Sequence, residues 1–575
     1  MRIFSGARVN WSKPAHGYSL RRQLLLGSML SAMLVLSSRA VYLQVLDREF
    51  LQDKGDLQHI GIVDVPAYRG QIKDRNGNPL AISTPVQSIW MNMRQIKEAD
   101  REKVAQMGKI LGIPDKDFQL FLKKEAGKRF VYLKRQINPD LAEKVKDLEI
   151  TGVYFEKAFK RYYPTGATSG HLLGFTNIDD VGQEGMEYGY EHILRGKPGK
   201  KRVIKDGKGH IIKDVENIQD AVPGQDLHLT IDERIQYLAY RELQAAMVKH
   251  KAHSASLVVL DAKNGDVLAS VSQPAFNPNN RKELRSNRYR NRALVDSFEP
   301  GSTVKPFVVA AALDGNYVNP NALIETHGVY HLGRNVVKDI HNYGTMDLTL
   351  VLQKSSNIAV TTLAMSMPPE HFWNVYNNLG FGNSAGVGFP GEASGSLLDY
   401  QGWHEFDQAI LSFGYGVSTS ILQLARAYTA LADNGVVHSV SLLRRDEDPD
   451  AKQVFKPQTA QTVRNMLERV ISKEGTAYQA RVEGYRVAGK TGTVKKAAAS
   501  GGYTHDKYLS VFVGMAPASN PRFVIAVVVD EPSSGQYYGG LVAAPAFSNV
   551  MAGILRIYGV EPDGMDTMPM LLTRK

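Results

Sequence analysis

The hydrophobic pattern of the chain is most continuous near its start. An apolar run over residues 24–36 is interrupted by Arg39 and then continues to Leu46. The span 23–46 is long enough for one bilayer crossing, with the Arg39 side chain reaching the outer surface. Residues 1–22 contain five basic and no acidic side chains. The positive-inside rule therefore predicts a cytoplasmic start and places the rest of the chain outside the cytoplasm.

A cleaved signal peptide is the competing interpretation of this segment, because Ser38-Arg39-Ala40 loosely fits a cleavage site. The apolar pattern continues beyond Ala40, which favours an uncleaved anchor. Small residues along one face of the helix would let a second membrane helix approach closely, although ordinary membrane-helix composition explains them equally well. They are Gly27, Ser28, Ser31 and Ala32.

After the anchor, strand-like and helix-like patterns alternate. Residues 69–81 predict a strand, an Asn-Gly turn and a second strand, and residues 95–150 predict helices. A hairpin is predicted around Asn264-Gly265. Further elements are expected as strands at 227–231, 508–515 and 522–530 and as helices from Asp232 and over 545–558.

These patterns predict an α/β (α+β) protein in which a sheet carries helices on its faces. The main domain boundary is expected at the Pro223-Gly224 turn. The expected segments are a cytoplasmic basic segment (1–22), a transmembrane anchor (23–46), an N-terminal domain (47–224), a C-terminal domain (225–560) and a flexible tail (561–575).

The composition of the chain disfavours several classes of function. The 575 residues are 43% hydrophobic and 22% charged, which is typical of a globular protein. The net charge of +11 is spread along the chain, so nucleic acid is disfavoured, and anionic membrane or cell-wall polymer is the better partner. General solubility explains most of these charges equally well. There is no cysteine, and the histidines lack metal-ligand spacing, so neither a metal nor a cofactor is expected.

The segment before the apolar run 307–313 carries the strongest chemical signal. Pro300 and Gly301 break the preceding element, and Ser302 is expected at the first turn of a buried helix. The first turn of a helix has unpaired backbone N–H groups and the positive end of the helix dipole. Lys305 lies one turn later on the same face, so its amine is expected to reach the Ser302 hydroxyl. By itself Ser-x-x-Lys is weak evidence, since about two such spacings arise by chance in this length. With the helix start, it predicts an acyl-transfer site.

A second segment follows an apolar run and predicts a turn between helices. That turn would expose Ser355 and Asn357 on one side, giving a hydroxyl for proton relay and an amide for a substrate carbonyl. Serine and asparagine also cap helices, so this tripeptide alone is weak evidence.

A third segment is strand-like, with Gly489 and Gly492 on either side of Lys490. Strand glycines often mark the close approach of a ligand backbone. An edge strand here would pair with an extended peptide, and Lys490, Thr491 and Thr493 would hold a carboxylate. The alternative is an edge-strand lysine that prevents aggregation.

Together the three motifs resemble those of the penicilloyl-serine transferases: Ser302-x-x-Lys305, Ser355-x-Asn357 and Lys490-Thr491-Gly492. The chain is most similar to the class B penicillin-binding proteins, and among them to the cell-division transpeptidases. The resemblance implies a β-lactamase-like C-terminal domain on a non-catalytic pedestal. It extends to the blocks 69–77, 161–187, 298–301, 412–416 and 537–540.

The resemblance implies peptidoglycan D,D-transpeptidation. Ser302 is then expected to be the nucleophile and Lys305 its base. Ser355 and Lys490 would pass the proton to the leaving amine, and Asn357 would hold the donor carbonyl.

The same resemblance implies how substrate is bound. The backbone N–H groups of Ser302 and Thr493 are expected to form the oxyanion hole, and Thr491 and Thr493 to orient the terminal carboxylate. Loop packing explains the tyrosines of the implied pocket as well as substrate contact does. The implied substrate-binding residues are Thr491, Gly492, Thr493, Tyr415, Tyr537 and Tyr538.

The implied partners are peptidoglycan stem peptides, β-lactams that acylate Ser302, a polytopic glycan polymerase of the SEDS family and other division proteins, at the septum of the inner membrane. Three rival functions stay open: an elongation-type transpeptidase, a D,D-carboxypeptidase or β-lactamase-like hydrolase, and a non-catalytic β-lactam-binding scaffold. The pedestal and the anchor disfavour the hydrolase, and the intact set of motif residues disfavours the scaffold.

Overall fold

The computed structural model describes residues 19–48, 60–96, 100–205, 211–283, 286–445, 451–497 and 502–564. Most of the expected cytoplasmic segment 1–22 and of the expected tail 561–575 therefore lies outside the described residues.

The apolar run near the start forms one continuous helix. Helix α1 spans Ser19–Val41, and a π-helical turn continues it through Tyr42–Leu46. The most apolar 18-residue window within Leu20–Leu46 has a mean hydropathy of 1.7, and it is not buried by the rest of the protein. Its length and composition suffice to cross a bilayer, as the sequence predicts.

The region between the anchor and residue 228 combines small sheets with short helices. Its strands are β1 (Ile60–Val65), β2 (Ile72–Lys73), β3 (Pro79–Met91), β4 (Val131–Ile137), β5 (Val153–Tyr162), β6 (Phe175–Thr176), β7 (Gly182–Glu184), β8 (Gly199–Lys205), β9 (Ile211–Gln219) and β10 (Leu227–His228). Its helices are α2 (Arg101–Ile110), α3 (Asp115–Lys124), α4 (Pro139–Lys146), α5 (Gly170–Leu173), α6 (Gly185–Gly189) and α7 (Glu191–Leu194).

Two sheets organise this region, in the strand orders β1-β8-β9 and β10-β2-β3-β4, with β5 also paired to β3. The predicted hairpin over 69–81 is present as β2 and β3. The prediction of helices throughout 95–150 is wrong at one point, because β4 separates α3 from α4. Leu133 and Ile137 of β4 pack into the core that also holds Phe118, so tertiary packing favours a strand there.

A buried ion-pair network holds the irregular region against the first hairpin. The carboxylate of Glu187 is fully buried and accepts hydrogen bonds from Arg69 at 2.8 Å and from Arg161 at 2.6 Å. Both arginines are also buried. The charged residues of the 69–77 and 161–187 blocks therefore support the fold.

The rest of the chain forms a larger domain. Its strands are β11 (Ser254–Asp261), β12 (Val267–Gln273), β13 (Leu323–Glu325), β14 (Val329–Leu332), β15 (Asn335–Lys338), β16 (Thr345–Asp347), β17 (Ser396–Leu397), β18 (Val417–Ser418), β19 (Val436–Val437), β20 (Lys452–Gln453), β21 (Ala488–Ala497), β22 (Tyr503–Ala516) and β23 (Phe523–Asp530). Its helices are α8 (Glu233–His250), α9 (Ser286–Tyr289), α10 (Arg292–Val295), α11 (Lys305–Asp314), α12 (Leu348–Lys354), α13 (Asn357–Met365), α14 (Pro369–Asn378), α15 (Glu405–Leu411), α16 (Ile421–Ala432), α17 (Pro457–Val470), α18 (Gly539–Val542) and α19 (Ala544–Ile557).

The central antiparallel sheet has the strand order β12-β11-β23-β22-β21, and β21 lies at its edge. The hairpin predicted around Asn264-Gly265 joins β11 to β12. Helices α8 and α19 pack against each other and against the sheet, and α16 also packs against it. The edge position matters because β21 carries Lys490, Thr491 and Thr493 beside the turn that holds Ser302.

We predict that Glu187→Gln lowers the free energy of unfolding by about 3–5 kcal/mol, because it leaves the buried guanidinium group of Arg161 without a counter-charge and Arg69 with Glu191 alone. Denaturant unfolding of the detergent-solubilised chain measures this loss. The control is Glu143→Gln, since Glu143 makes only an exposed pair with Lys146 and the expected change is about 0.5 kcal/mol or less. Equal stability of the two variants would contradict a supporting role for Glu187.

Candidate functional site

The Ser302 turn, Gly301–Val304, is a short 3-10 helix that leads directly into α11. The helix therefore begins close to Ser302, as predicted, and Pro306 lies in its first turn. The turn is held from two sides. The Thr303 hydroxyl donates to the carbonyl of Pro300 at 2.7 Å, and the buried Tyr428 hydroxyl donates to the carbonyl of Thr303 at 2.7 Å. These bonds fix the backbone that positions the Ser302 side chain.

Lys305 is completely buried, and its amine contacts the second motif. The Nζ atom lies 2.6 Å from the backbone oxygen of Ser355, 3.2 Å from its Oγ and 2.7 Å from Oδ1 of Asn357. Burial lowers the pKa of Lys305 well below its usual range, and the nearby Lys490 lowers it further, while Asp339 opposes this shift. The environment of Lys305 therefore favours the neutral amine.

The expected hydrogen bond between Lys305 and the Ser302 hydroxyl is absent from the described part of the chain. The partners of the Lys305 amine on the Ser355–Asn357 turn take up its hydrogen-bonding capacity. Helical spacing brings Ser302 and Lys305 onto one face, but it does not decide which neighbouring oxygen the amine selects.

Lys490 is also completely buried and approaches the same turn from the edge strand. Its Nζ donates to Oγ of Ser355 at 2.9 Å and to the carbonyl of Thr491 at 3.3 Å. Burial lowers the pKa of Lys490 to about 7. The hydroxyl of Ser355 thus lies between two amines, and a hydroxyl can accept from one and donate to the other.

The Ser355 backbone has φ of +61°, in the left-handed region where non-glycine residues are uncommon. This conformation ends α12 and separates it from α13. Ser356, which is fully buried, caps α13 by accepting from the backbone N–H of Ala359. The strained turn therefore exposes Ser355 and Asn357 while it buries the residue between them.

Asp339 secures this turn from outside and is a residue that sequence analysis missed. Its carboxylate accepts hydrogen bonds from the Ser356 hydroxyl and from the backbone N–H groups of Asn357 and Ile358. The amide of Asn357 also donates to the carbonyl of Lys338 at 3.1 Å. No spacing pattern links Asp339 to the second motif, because the contact depends on how the β14–β15 hairpin folds back.

A cavity of about 390 Å³ opens over these groups. Among the substrate-binding residues that the sequence suggests, Thr491, Thr493, Tyr415 and Tyr538 line it together with Ser302, Ser355 and Asn357. The buried amines of Lys305 and Lys490 lie behind this lining.

Two of the suggested residues lie outside the lining. Tyr537 stacks on Tyr508, with ring centres 4.3 Å apart. At Gly492, a Cβ atom would lie 2.9 Å from the Thr303 side chain and 3.2 Å from the carbonyl oxygen of Pro300. The absence of a side chain there lets the edge strand pack closely against the Ser302 turn.

Thr476 is a second lining residue that sequence analysis missed. Its hydroxyl lies 2.9 Å from the hydroxyl of Thr491. Thr476 belongs to the loop after α17, which has no motif of its own, so only the folded chain brings the two hydroxyls together.

The donor set is that of acid–base and nucleophilic chemistry. Within the described ranges, no group of three or more His, Asp or Glu side chains could hold a metal ion. A half-buried hydroxyl on a fixed turn, two amines with lowered pKa values and a relay hydroxyl can together activate a nucleophile and pass its proton onward.

Comparison with known proteins gives matches over nearly the whole chain. The family model of the penicillin-binding protein transpeptidase domain matches residues 255–552, and that of the penicillin-binding protein dimerisation domain matches residues 64–229. The peptidoglycan D,D-transpeptidase FtsI of Escherichia coli is 39% identical over 559 residues, covering 96% of this chain and 94% of that protein. The probable peptidoglycan D,D-transpeptidase PenA of Neisseria meningitidis serogroup A is 40% identical over 531 residues, covering 92% and 91%.

Solved structures agree with these matches. The transpeptidase domain of penicillin-binding protein 3 from Burkholderia pseudomallei is 45% identical with a TM-score of 0.54, and the match covers 58% of this chain and 97% of that one. A peptidoglycan synthetase from Bifidobacterium adolescentis is 25% identical with a TM-score of 0.70, covering 88% and 98%.

We predict that Gly414→Ala disturbs the Ser302 turn. Gly414 has φ of +83°, and a Cβ atom there would lie 2.2 Å from the carbonyl oxygen of Gly301 and 2.5 Å from its nitrogen. Labelling of Ser302 by a fluorescent penicillin should slow on the order of 100-fold, the loss that a misplacement of about 1 Å can cause.

The control for backbone strain alone is Gly535→Ala, since Gly535 has φ of +86° with open space around its Cβ position. We expect that variant to label at nearly the wild-type rate. Equal labelling rates for the two variants would show that contact between Gly414 and Gly301 does not position Ser302.

Proposed function

Because the chain belongs to the class B penicillin-binding proteins, we propose that it is a peptidoglycan D,D-transpeptidase that cross-links stem peptides through an acyl-enzyme on Ser302. The observation that carries this proposal is the meeting of two buried amines at the Ser355 hydroxyl, in the same cavity as the Ser302 turn. Burial that lowers the pKa of two lysines does not stabilise the fold. Amines with lowered pKa values are, however, suited to proton transfer.

In the acylation step, Ser302 attacks the carbonyl of the penultimate D-alanine of a donor stem peptide. The neutral amine of Lys305 accepts the serine proton as the Ser302 side chain turns towards it. Catalytic hydrogen bonds are often long in the absence of substrate and tighten when it binds. Ser355, with Lys490 behind it, then delivers a proton to the amine of the departing terminal D-alanine.

The donor is held along the edge strand β21. The backbone N–H groups of Ser302 and Thr493 receive the developing oxyanion, and losing one such donor typically costs about 3 kcal/mol of transition-state stabilisation. Asn357, whose amide is oriented by Lys305 and the Lys338 carbonyl, binds the donor's peptide carbonyl. Thr491 and Thr493 orient the terminal carboxylate, and the Thr476 hydroxyl lies beside that of Thr491.

In the second step, the amine of another stem peptide attacks the acyl-enzyme and forms the cross-link. β-Lactams acylate the same Ser302 and remain attached. Hydrolytic release would need a carboxylate that activates water, and the one carboxylate among the described lining residues is Asp339. That carboxylate is already engaged by Ser356, Asn357 and Ile358.

The proposed domain organisation has the cytoplasmic segment 1–22, the membrane anchor 23–46, the non-catalytic pedestal 47–224, the transpeptidase domain 225–560 and the tail 561–575. A single-pass anchor holds the enzyme at the inner membrane, with its catalytic domain in the periplasm and its site of action at the division septum. A polytopic SEDS-family glycan polymerase and other division proteins are its proposed partners, and the helix face of Gly27, Ser28, Ser31 and Ala32 is compatible with such an interaction.

We predict that Ser302→Ala abolishes covalent labelling by a fluorescent penicillin, because the acyl bond forms to the Ser302 hydroxyl, which this variant lacks. The control is Ser519→Ala, which changes an exposed serine and should label like wild type. Mass spectrometry of the adduct identifies the modified peptide. Labelling of the Ser302 variant at the wild-type rate would refute the proposed function.

We predict that Lys490→Met moves the pH dependence of acylation to higher pH. The positive charge of Lys490 lowers the pKa of Lys305, so its removal raises that pKa. Acylation needs neutral Lys305, and the rate therefore rises with pH through the pKa of Lys305. With this pKa raised, the rise must occur at higher pH.

Rates of labelling by the fluorescent penicillin between pH 5 and 10 measure this shift, apart from any overall loss of rate. Lys495→Met is the control on the same strand, because Lys495 is exposed. It should leave the profile unchanged. A profile for Lys490→Met that is unshifted or moved to lower pH would show that the two amines are not coupled as proposed.

A further inference from the structure

The proposed mechanism leaves one charged residue of the cavity without a role. Lys354 is the only cationic side chain among the described residues that line it. It is the last residue of α12, immediately before Ser355, and is half-buried. Its Nζ donates to the backbone carbonyl of Glu474 at 2.8 Å. An ammonium has three N–H donors, so this bond orients the amine and leaves donors for a ligand.

The loop that accepts this bond also carries Thr476, whose hydroxyl lies 2.9 Å from that of Thr491. Lys354 and both threonines line the same cavity, so one cation and two hydroxyls belong to one region of its wall. The other charged lining residue, Asp339, is committed to the start of α13. A cation with adjacent hydroxyls is a set of donors that suits a carboxylate.

We propose that Lys354 binds the carboxylate of the leaving D-alanine and then the carboxylate of the acceptor that replaces it. This inference rests on the proposed function. In the second step the acceptor nitrogen forms a bond to the acyl carbon, and the bond from that carbon to the Ser302 oxygen breaks. The amine proton passes through Ser355 and Lys305 to the Ser302 oxygen.

Because this step is the chemical reverse of acylation, the attacking amine occupies the position that the leaving amine has vacated. An acceptor that carries a carboxylate on the same carbon as its amine therefore refills the carboxylate site at Lys354. A simple amine leaves that site without a partner. The acceptor class selected by this arrangement is an α-amino acid centre, and a side-chain amine remote from any carboxylate is disfavoured.

The test measures how the acyl-enzyme divides between water and two small acceptors. The detergent-solubilised full-length enzyme is acylated by an N-acyl-D-alanyl thioester whose thiol leaving group carries no carboxylate. D-Alanine or D-alaninamide is then supplied at equal concentrations of neutral amine, and chromatography quantifies aminolysis and hydrolysis products. Wild type should prefer D-alanine by about tenfold, the factor expected for one charge-assisted hydrogen bond.

Lys354→Gln should reduce this preference to about one, and Lys354→Arg should retain most of it, because the charge is kept. The preference is a ratio within each variant, so a general loss of activity cancels. Lys473→Gln is the matched control, since Lys473 is an exposed lysine of the same loop. It should keep the wild-type ratio.

Equal use of the two acceptors by wild type, or an unchanged preference in Lys354→Gln, would overturn the assignment of Lys354 while leaving acylation of Ser302 intact. Failure of the wild-type enzyme to form any acyl-enzyme on Ser302 would instead contradict the proposed function and this inference with it.

Discussion

The burial of two lysine amines against one serine hydroxyl is the interaction on which the rest of the structure depends. Lys305 and Lys490 have no solvent exposure, and both reach Oγ of Ser355. Taking an ammonium out of water costs several kcal/mol, and two like charges at such a distance repel each other. The cost falls when an amine loses its proton, so the fold itself lowers the pKa of both lysines and favours the neutral form of Lys305.

Three separate pieces of backbone are needed to hold this arrangement. Helix α11 presents Lys305 one turn after Ser302, the left-handed turn at Ser355 places its hydroxyl, and the edge strand β21 brings Lys490 from the other end of the domain. Each piece is fixed by neighbours outside the reaction. Tyr428 holds the Ser302 turn, Asp339 holds the Ser355 turn, and Gly492 lets the strand lie close to the Ser302 turn. These supporting contacts keep the reacting groups in place before substrate binds.

Sequence patterns predicted the elements whose chemistry is local. The long N-terminal apolar helix, the hairpin at Asn264-Gly265 and the start of α11 follow from periodicity, turn residues and helix-breaking residues, and the structure has them. The strand β4 was missed because its adjacent Lys134 and Arg135 resemble the charged residues of the flanking helices, and only its pairing with β3 and the packing of Leu133 distinguish it. Asp339 and Thr476 were missed for a related reason: they reach the site from a hairpin and a loop, so no spacing in the chain connects them to it.

Within the candidate site, the sequence likewise predicts some contacts and not others. The three motifs predicted which side chains come together, but they did not predict that the Lys305 amine contacts Ser355 and Asn357 rather than Ser302. Helical spacing predicts that the Lys305 side chain lies on the same face as Ser302, one turn along the helix. Which nearby oxygen atom the Lys305 amine bonds to depends on the backbone of the neighbouring Ser355–Asn357 turn. Tyr537 is a further case, because its stacking on Tyr508 arises only in the folded chain.

The most direct test of this account is to titrate the two lysines themselves. In the full-length enzyme with 13C-labelled lysine side chains, NMR resonances of Lys305 and Lys490 are assigned by comparison with Lys305→Met and Lys490→Met variants. The account predicts that Lys490 titrates with a pKa of about 7 and that the pKa of Lys305 also lies well below that of exposed lysines. If both amines titrate together with the surface lysines, with a pKa of about 10.4, the account is contradicted.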